Sequence, residues 1–142
     1  MNNKPFDQAL FDANDDRGRQ AAIKALSGNG IAMIPSHDKY AVDLEMHLRG
    51  VLIAYVEVAI SPQWKGIHFP FKSSHILYRK KKYLNLLCPT YFIIFNNECS
   101  HHMMICGSDI VKCKVIEVPN KYVPAGELSF DVPLSICKFM DD

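Results

Sequence analysis

Val51-Leu-Ile-Ala-Tyr-Val-Glu-Val-Ala-Ile60 contains a single charged residue, Glu57, among nine apolar and aromatic ones. A run this rich in β-branched and aromatic residues, with no Gly or Pro, reads as a strand. Side chains alternate along a strand, so Tyr55, Glu57 and Ala59 share one face while Val56, Val58 and Ile60 share the other. Just upstream, Tyr40-Ala-Val-Asp-Leu-Glu45 places Ala41, Asp43 and Glu45 on one face, with Val42, Leu44 and Met46 opposite. If the two runs pair across a short turn at His47–Gly50, Asp43 and Glu57 converge. Two carboxylates held together in a half-buried place repel and are poorly solvated, which calls for a cation. Mg²⁺ or Mn²⁺ suits them, because a hard divalent ion takes one or two carboxylates and completes its shell with water and phosphate oxygens. The alternative is a salt-bridged pair on a solvated sheet face shared with Glu45 and His47.

Working outward, the 142 residues are expected to form a single domain, 1–142, large enough to bury a core. The apolar fraction is 49%, the charged fraction 22% and the net charge +1, so there is no general pull towards nucleic acid or membrane. Any polyanion binding has to come from a local patch. Neither a signal-peptide pattern nor an apolar run near the roughly 20 residues of a membrane span is visible. Five scattered cysteines, without close pairing, suggest a reducing, cytoplasmic setting.

The segment from Phe6 to Ser27 reads as helical, best from Asp15 or Asp16, either of which can cap the first turn, to Leu26. Gly18 weakens its middle and leaves two shorter helices open. Ser27-Gly-Asn-Gly30 stops it, and Ile31–Pro35 is a short strand. After Ile60 comes a loop with Trp64, Phe69 and Phe71, then a short extended piece at His75–Tyr78. Arg79–Leu87 reads as a helix ended by Cys88-Pro89. Thr90–Phe95, His101–Cys106, Ile110–Val118 and Leu128–Val132 are further strand candidates. The fold class is therefore α/β, a mixed central sheet flanked by helices.

This order, with Asp on the second strand and Glu on the third, resembles the restriction endonuclease-like core (α-β-β-β-α-β) of the PD-(D/E)XK nuclease superfamily, which includes junction resolvases and phage recombination nucleases. The matching residues are Tyr40-Ala-Val-Asp43, Val56-Glu57-Val58-Ala59, Trp64 with Phe69-Pro70, and Ile76–Lys80. The resemblance covers a core of about residues 15–97 and leaves a β-rich C-terminal extension of about 98–142. It implies a metal-dependent nuclease that hydrolyses phosphodiester bonds, acts on nucleic acid and on DNA first, and works alone or as a homodimer. In it Asp43 and Glu57 hold the metal, with help from the Val58 carbonyl. The lysine expected two residues after the Glu is replaced by Ala59, which favours a second reading: a nuclease fold without catalysis, serving as a binding or structural subunit. Some family members supply the cation from the following helix. Here that helix opens Arg79-Lys-Lys-Lys82, and Lys80, Tyr83, Leu84 and Leu87 share one face. Lys80 is thus expected to point inwards as the third catalytic residue, with Lys65 or Lys72 as substitutes.

Arg79, Lys81, Lys82 and Lys72 are candidate phosphate contacts, and basic residues opposing a helix N-terminus invite such a role. They are equally readable as a solvated basic face. Trp64 is a candidate for base stacking, although with Phe69 and Phe71 it reads more readily as the cap of a core. Cys99, His101, His102, Cys106 and Cys113 lack the paired spacing of a structural zinc site, and their apolar neighbours read as core.

Overall fold

The computed structural model describes residues 8–36, 41–119 and 126–141. One helix, α1 (Gln8–Leu26), precedes an antiparallel meander of β1 (Ile31–Pro35), β2 (Leu44–Leu48) and β3 (Val51–Ile60). After β4 (Ser73–Leu77) and a 3₁₀ helix (Tyr78–Tyr83), β5 (Thr90–Phe95) lies parallel to β3. β6 (His101–Cys106), a four-residue α2 (Gly107–Ile110), β7 (Lys114–Val118), β8 (Glu127–Pro133), a 3₁₀ turn (Leu134–Ile136) and β9 (Lys138–Asp141) complete the order. The main sheet has six strands in the order β1-β2-β3-β5-β6-β9, and a second sheet has three in the order β4-β8-β7. The chain is α/β with a mixed sheet, as its sequence leads one to expect.

The two faces of the main sheet are covered differently. On one, α1 packs Ala22 against Met33, Leu44, Val56, Val58, Ile93 and Phe95. On the other, the small sheet brings Ile76, Phe130 and Val132 onto Phe92, Ile94, Met103 and Ile105. The long helix therefore covers one face, and the small sheet covers the other together with Ile110 of α2 and Tyr78 of the 3₁₀ helix. The C-terminal third also lengthens the main sheet through β6 and β9, and β9 was not visible in the sequence.

Two helix expectations need correction. α1 runs unbroken through Gly18, whose missing side chain serves packing: a Cβ there would lie 3.1 Å from Val58 Cγ1. Asp15 and Asp16 accordingly lie inside the helix rather than at its start. The expected helix over 79–87 is a single 3₁₀ stretch that ends at Tyr83. Three successive lysines repel one another, and the Thr90 hydroxyl donates to the Tyr83 carbonyl at 2.6 Å, a bond that closes the last turn. Leu87, expected to face inwards, is 93% exposed.

Candidate functional site

Asp43 lies one residue before β2, and Tyr40 lies outside the described residues. Leu44 faces Val56, so continuing the register by one residue sets Asp43 opposite Glu57. That alignment depends on an irregularity. Met46 faces Ala54 but His47 faces Leu52, which leaves Ile53 as an extra residue in β3. Such a bulge shifts the register by one. Without it, Val42 would oppose Glu57, and Asp43 would fall on the wrong face. The hairpin turn is tight, with Arg49 at φ 49° and Gly50 at φ 84°, the paired positive values of a type I′ turn.

The two carboxylates are held by each other's backbone. Asp43 N–H donates to Glu57 Oε1 at 3.0 Å, and Val58 N–H donates to Asp43 Oδ2 at 2.8 Å. A strand residue turns its N–H and C=O to the same neighbour, so the Val58 carbonyl lies on that same β2-side edge. The Lys80 ammonium donates to Glu57 Oε2 at 2.6 Å, and Arg19 approaches Asp43 Oδ1 at 4.0 Å from α1. Glu57 is almost fully enclosed, with 5% of its side chain exposed, while Lys80 keeps 31%. Burial is the largest influence on Glu57 and lifts its carboxyl above the ordinary 4.5; Lys80 opposes the shift, and the Asp43 charge adds to it.

Lys80 reaches Glu57 because the 3₁₀ helix is clamped on both sides. Residues three apart eclipse in such a helix, so Lys80 and Tyr83 lie on one side. Tyr83 fixes that side, since its carbonyl accepts from Thr90 and its hydroxyl donates to Ala41 O at 3.3 Å. Asp43, Glu57 and Lys80 open into a cleft of about 580 Å³, whose walls include Gly18, Ala59, Arg79 and Tyr83. Its size lies within the ordinary range for ligand sites.

The other expected residues separate. Arg79 lines the cleft and comes within 3.9 Å of Glu127. Lys81 and Lys82 are exposed, and their ammonium groups lie 5.3 and 5.0 Å from the ring centroids of Tyr78 and Tyr83. Lys65 and Lys72 are exposed, and neither lines the cleft. Trp64 is a correction: it is fully buried, edge-on to Phe69 and Phe139 at 5.3 and 5.9 Å, and offers no face to a base. Arg19 was not singled out in the sequence; the only signal for it was a glycine in mid-helix, which brings α1 close to β3. Elsewhere, the His102 ring is buried and tilted against Phe95 at 5.3 Å. Burial, with Cys113 nearby, pushes the Cys137 thiol up to about 11, far from a reactive thiolate.

For a divalent cation, the donor set is two carboxylates and one carbonyl, all hard oxygens of residues that line the cleft, which fits Mg²⁺ or Mn²⁺. Among the described residues, no group of three or more His, Cys, Asp or Glu side chains is placed to hold a metal ion. Among them also, no helix is long and apolar enough to cross a membrane. Compared with protein-family models, curated proteins and solved structures, the chain matches none.

Proposed function

We propose that this chain is a metal-dependent nuclease-like protein that hydrolyses phosphodiester bonds of nucleic acid. One observation carries the reading: Asp43, Glu57 and Lys80, from three separate segments, meet in the lining of one cleft. The antiparallel meander after α1, with β5 parallel to β3, supports it as well, because the PD-(D/E)XK core that the sequence resembles contains these elements; β4 and a 3₁₀ helix stand here where that core has its second α-helix.

Asp43, Glu57 and the Val58 carbonyl would hold Mg²⁺ or Mn²⁺, which when bound supplies a water of lowered pKa and neutralises charge on the phosphate. The chain's own residues do the rest. The reciprocal backbone bonds keep both carboxylates fixed, so little reorganisation is needed when substrate arrives. Lys80 provides the positive charge that Ala59 cannot, close to where negative charge grows on the phosphate. Arg79 on the cleft wall, with Lys81 and Lys82 beyond it, contacts neighbouring phosphates without reading sequence, so binding weakens steeply with salt. DNA is the first substrate to test.

A second reading has its own support. Ala59 is exposed and supplies no charge, and the chain's own donors already engage three of the four carboxylate oxygens, which suits a silent nuclease fold that works as a binding subunit. Incubation of wild type with linear, nicked and single-stranded DNA and with RNA, in Mg²⁺ or Mn²⁺, separates the two. The nuclease reading expects cutting that falls by roughly a hundredfold or more in Asp43→Ala, Glu57→Ala and Lys80→Ala. No cutting of any substrate by wild type, under either ion, contradicts it and leaves the binding subunit.

A further inference from the structure

The carboxylate pair is already satisfied from within the chain. Glu57 Oε1 takes the Asp43 N–H, Asp43 Oδ2 takes the Val58 N–H, and Arg19 stands 4.0 Å from Asp43 Oδ1. The remaining oxygen, Glu57 Oε2, accepts from Lys80 Nζ at 2.6 Å, the shortest contact in the cluster. Two of these partners are backbone groups fixed by the β2–β3 hairpin and cannot withdraw. Arg19 is held at arm's length, and its guanidinium also lies 3.9 Å from Asp16. Lys80 differs from all of them. It sits at the end of a flexible four-carbon stem, on a helix outside the main sheet, with about a third of its side chain in solvent.

We infer that Lys80 is a tethered counter-ion that occupies the cation position at Glu57 Oε2, and that a divalent ion binds only by displacing it. This rests on the metal-site reading above and adds a regulation to it. The charge count supports exchange over simple addition. Two carboxylates with Lys80 and Arg19 beside them are already neutral as a group, so a divalent ion brought in without a departure would leave an excess of two positive charges in a largely enclosed place. The displaced ammonium remains on its stem at the rim of the same cleft, beside Arg79, where a phosphate oxygen can take over as its partner. Cation loading and lysine presentation then become one event. The free protein keeps weak affinity for the ion, and its lysine stays out of use until the ion arrives.

Calorimetric titration of Mn²⁺ into wild type, Lys80→Met and Lys80→Arg tests this. Displacement predicts that Lys80→Met binds Mn²⁺ roughly tenfold more tightly than wild type, because a charged hydrogen bond no longer has to be broken. Lys80→Arg, which keeps a cation there, stays weak. Equal affinity in wild type and Lys80→Met overturns the inference while leaving the metal site intact. Absence of Mn²⁺ binding in both overturns the inference together with the metal site. Wild type gives an independent reading that needs no variant: acetylation of lysines by a mild acylating reagent, followed residue by residue by mass spectrometry. Displacement predicts that Lys80 labelling rises when Mn²⁺ is present while Lys65 and Lys72, both exposed and away from the cleft, stay constant. Unchanged Lys80 labelling at saturating Mn²⁺ contradicts it.

Discussion

Val56 and Glu57 are neighbours on one strand and almost equally buried, at 0% and 4% exposure, yet they look into different chemistry. Val56 meets the α1-covered core, an apolar layer built from Ala22, Leu44, Val58, Ile93 and Phe95. Glu57 looks into the other face, where β2 has just ended and a cleft remains, bordered by His75, Ile76 and Leu77 of β4 in the small sheet. Burying the first is what a stable sheet requires. Burying the second costs stability, since a carboxylate loses most of its hydration and the lysine beside it repays only part of that. The strand is thus structural on one face and chemical on the other, and only the structural face is explained by folding.

Variants on the two faces should behave accordingly. The largest stability loss belongs to the helix-covered face: Phe95→Ala is expected to cost about 3–5 kcal/mol in urea denaturation, the usual range for a fully buried aromatic. On the other face, Lys80→Met alone should cost about 1–2 kcal/mol by leaving Glu57 without its partner, less than a fully buried pair because Lys80 is partly solvated. The double variant Glu57→Gln with Lys80→Met should recover most of that loss. If it stays as unstable as the single variant, the pair holds the fold together and the contrast between the faces fails.

Gly18→Ala probes the point where α1 meets β3. Its Cβ would press on Val58 Cγ1 at 3.1 Å, and overpacking should outweigh the better helix propensity of alanine, for a net loss of about 1 kcal/mol. Val58→Ala in the same chain should relieve that strain, which a double-mutant cycle would detect.

The smallest effect is in pH. The Glu57 carboxyl is raised in the folded state above its ordinary 4.5, so between that value and the raised one the folded protein holds a proton that the unfolded chain has released. Stability contributed at this residue therefore falls as pH rises from 4.5 and levels off above the raised value. Denaturation midpoints measured across that window should decline in wild type and decline less in Glu57→Gln. A steeper decline in the variant would reverse the sign of the argument.

Much of this frame is legible in the sequence because periodicity writes it. Ile31–Pro35, Val51–Ile60, Thr90–Phe95 and His101–Cys106 are strands over the residues that their patterns suggest, and alternation alone sets Glu57 on the face opposite Val56 and Val58. What escaped is what local pattern does not encode. The bulge at Ile53 changes no letter that a strand reading would notice, yet Asp43 faces Glu57 only because of it. The 3₁₀ helix carries Lys80 to Glu57 by spacing of three, whereas the α-helical reading reached the same inward face by a repeat that also, wrongly, included Leu87. Trp64 shows the limit of residue type, since an aromatic in a loop looks alike whether it stacks on a base or closes a core. The small sheet joins β4 to β8, more than fifty residues apart, and such pairings leave no trace in a window of ten.

Asp43→Asn offers the most direct test, because the amide oxygen can still accept the Val58 N–H while the charge is gone. Its thermal unfolding and its Mn²⁺-dependent cleavage of single- and double-stranded DNA should be measured beside wild type. The account predicts a melting temperature within a few degrees of wild type and cleavage reduced by roughly a hundredfold or more. Cleavage equal to wild type, or a protein that no longer folds, would contradict it.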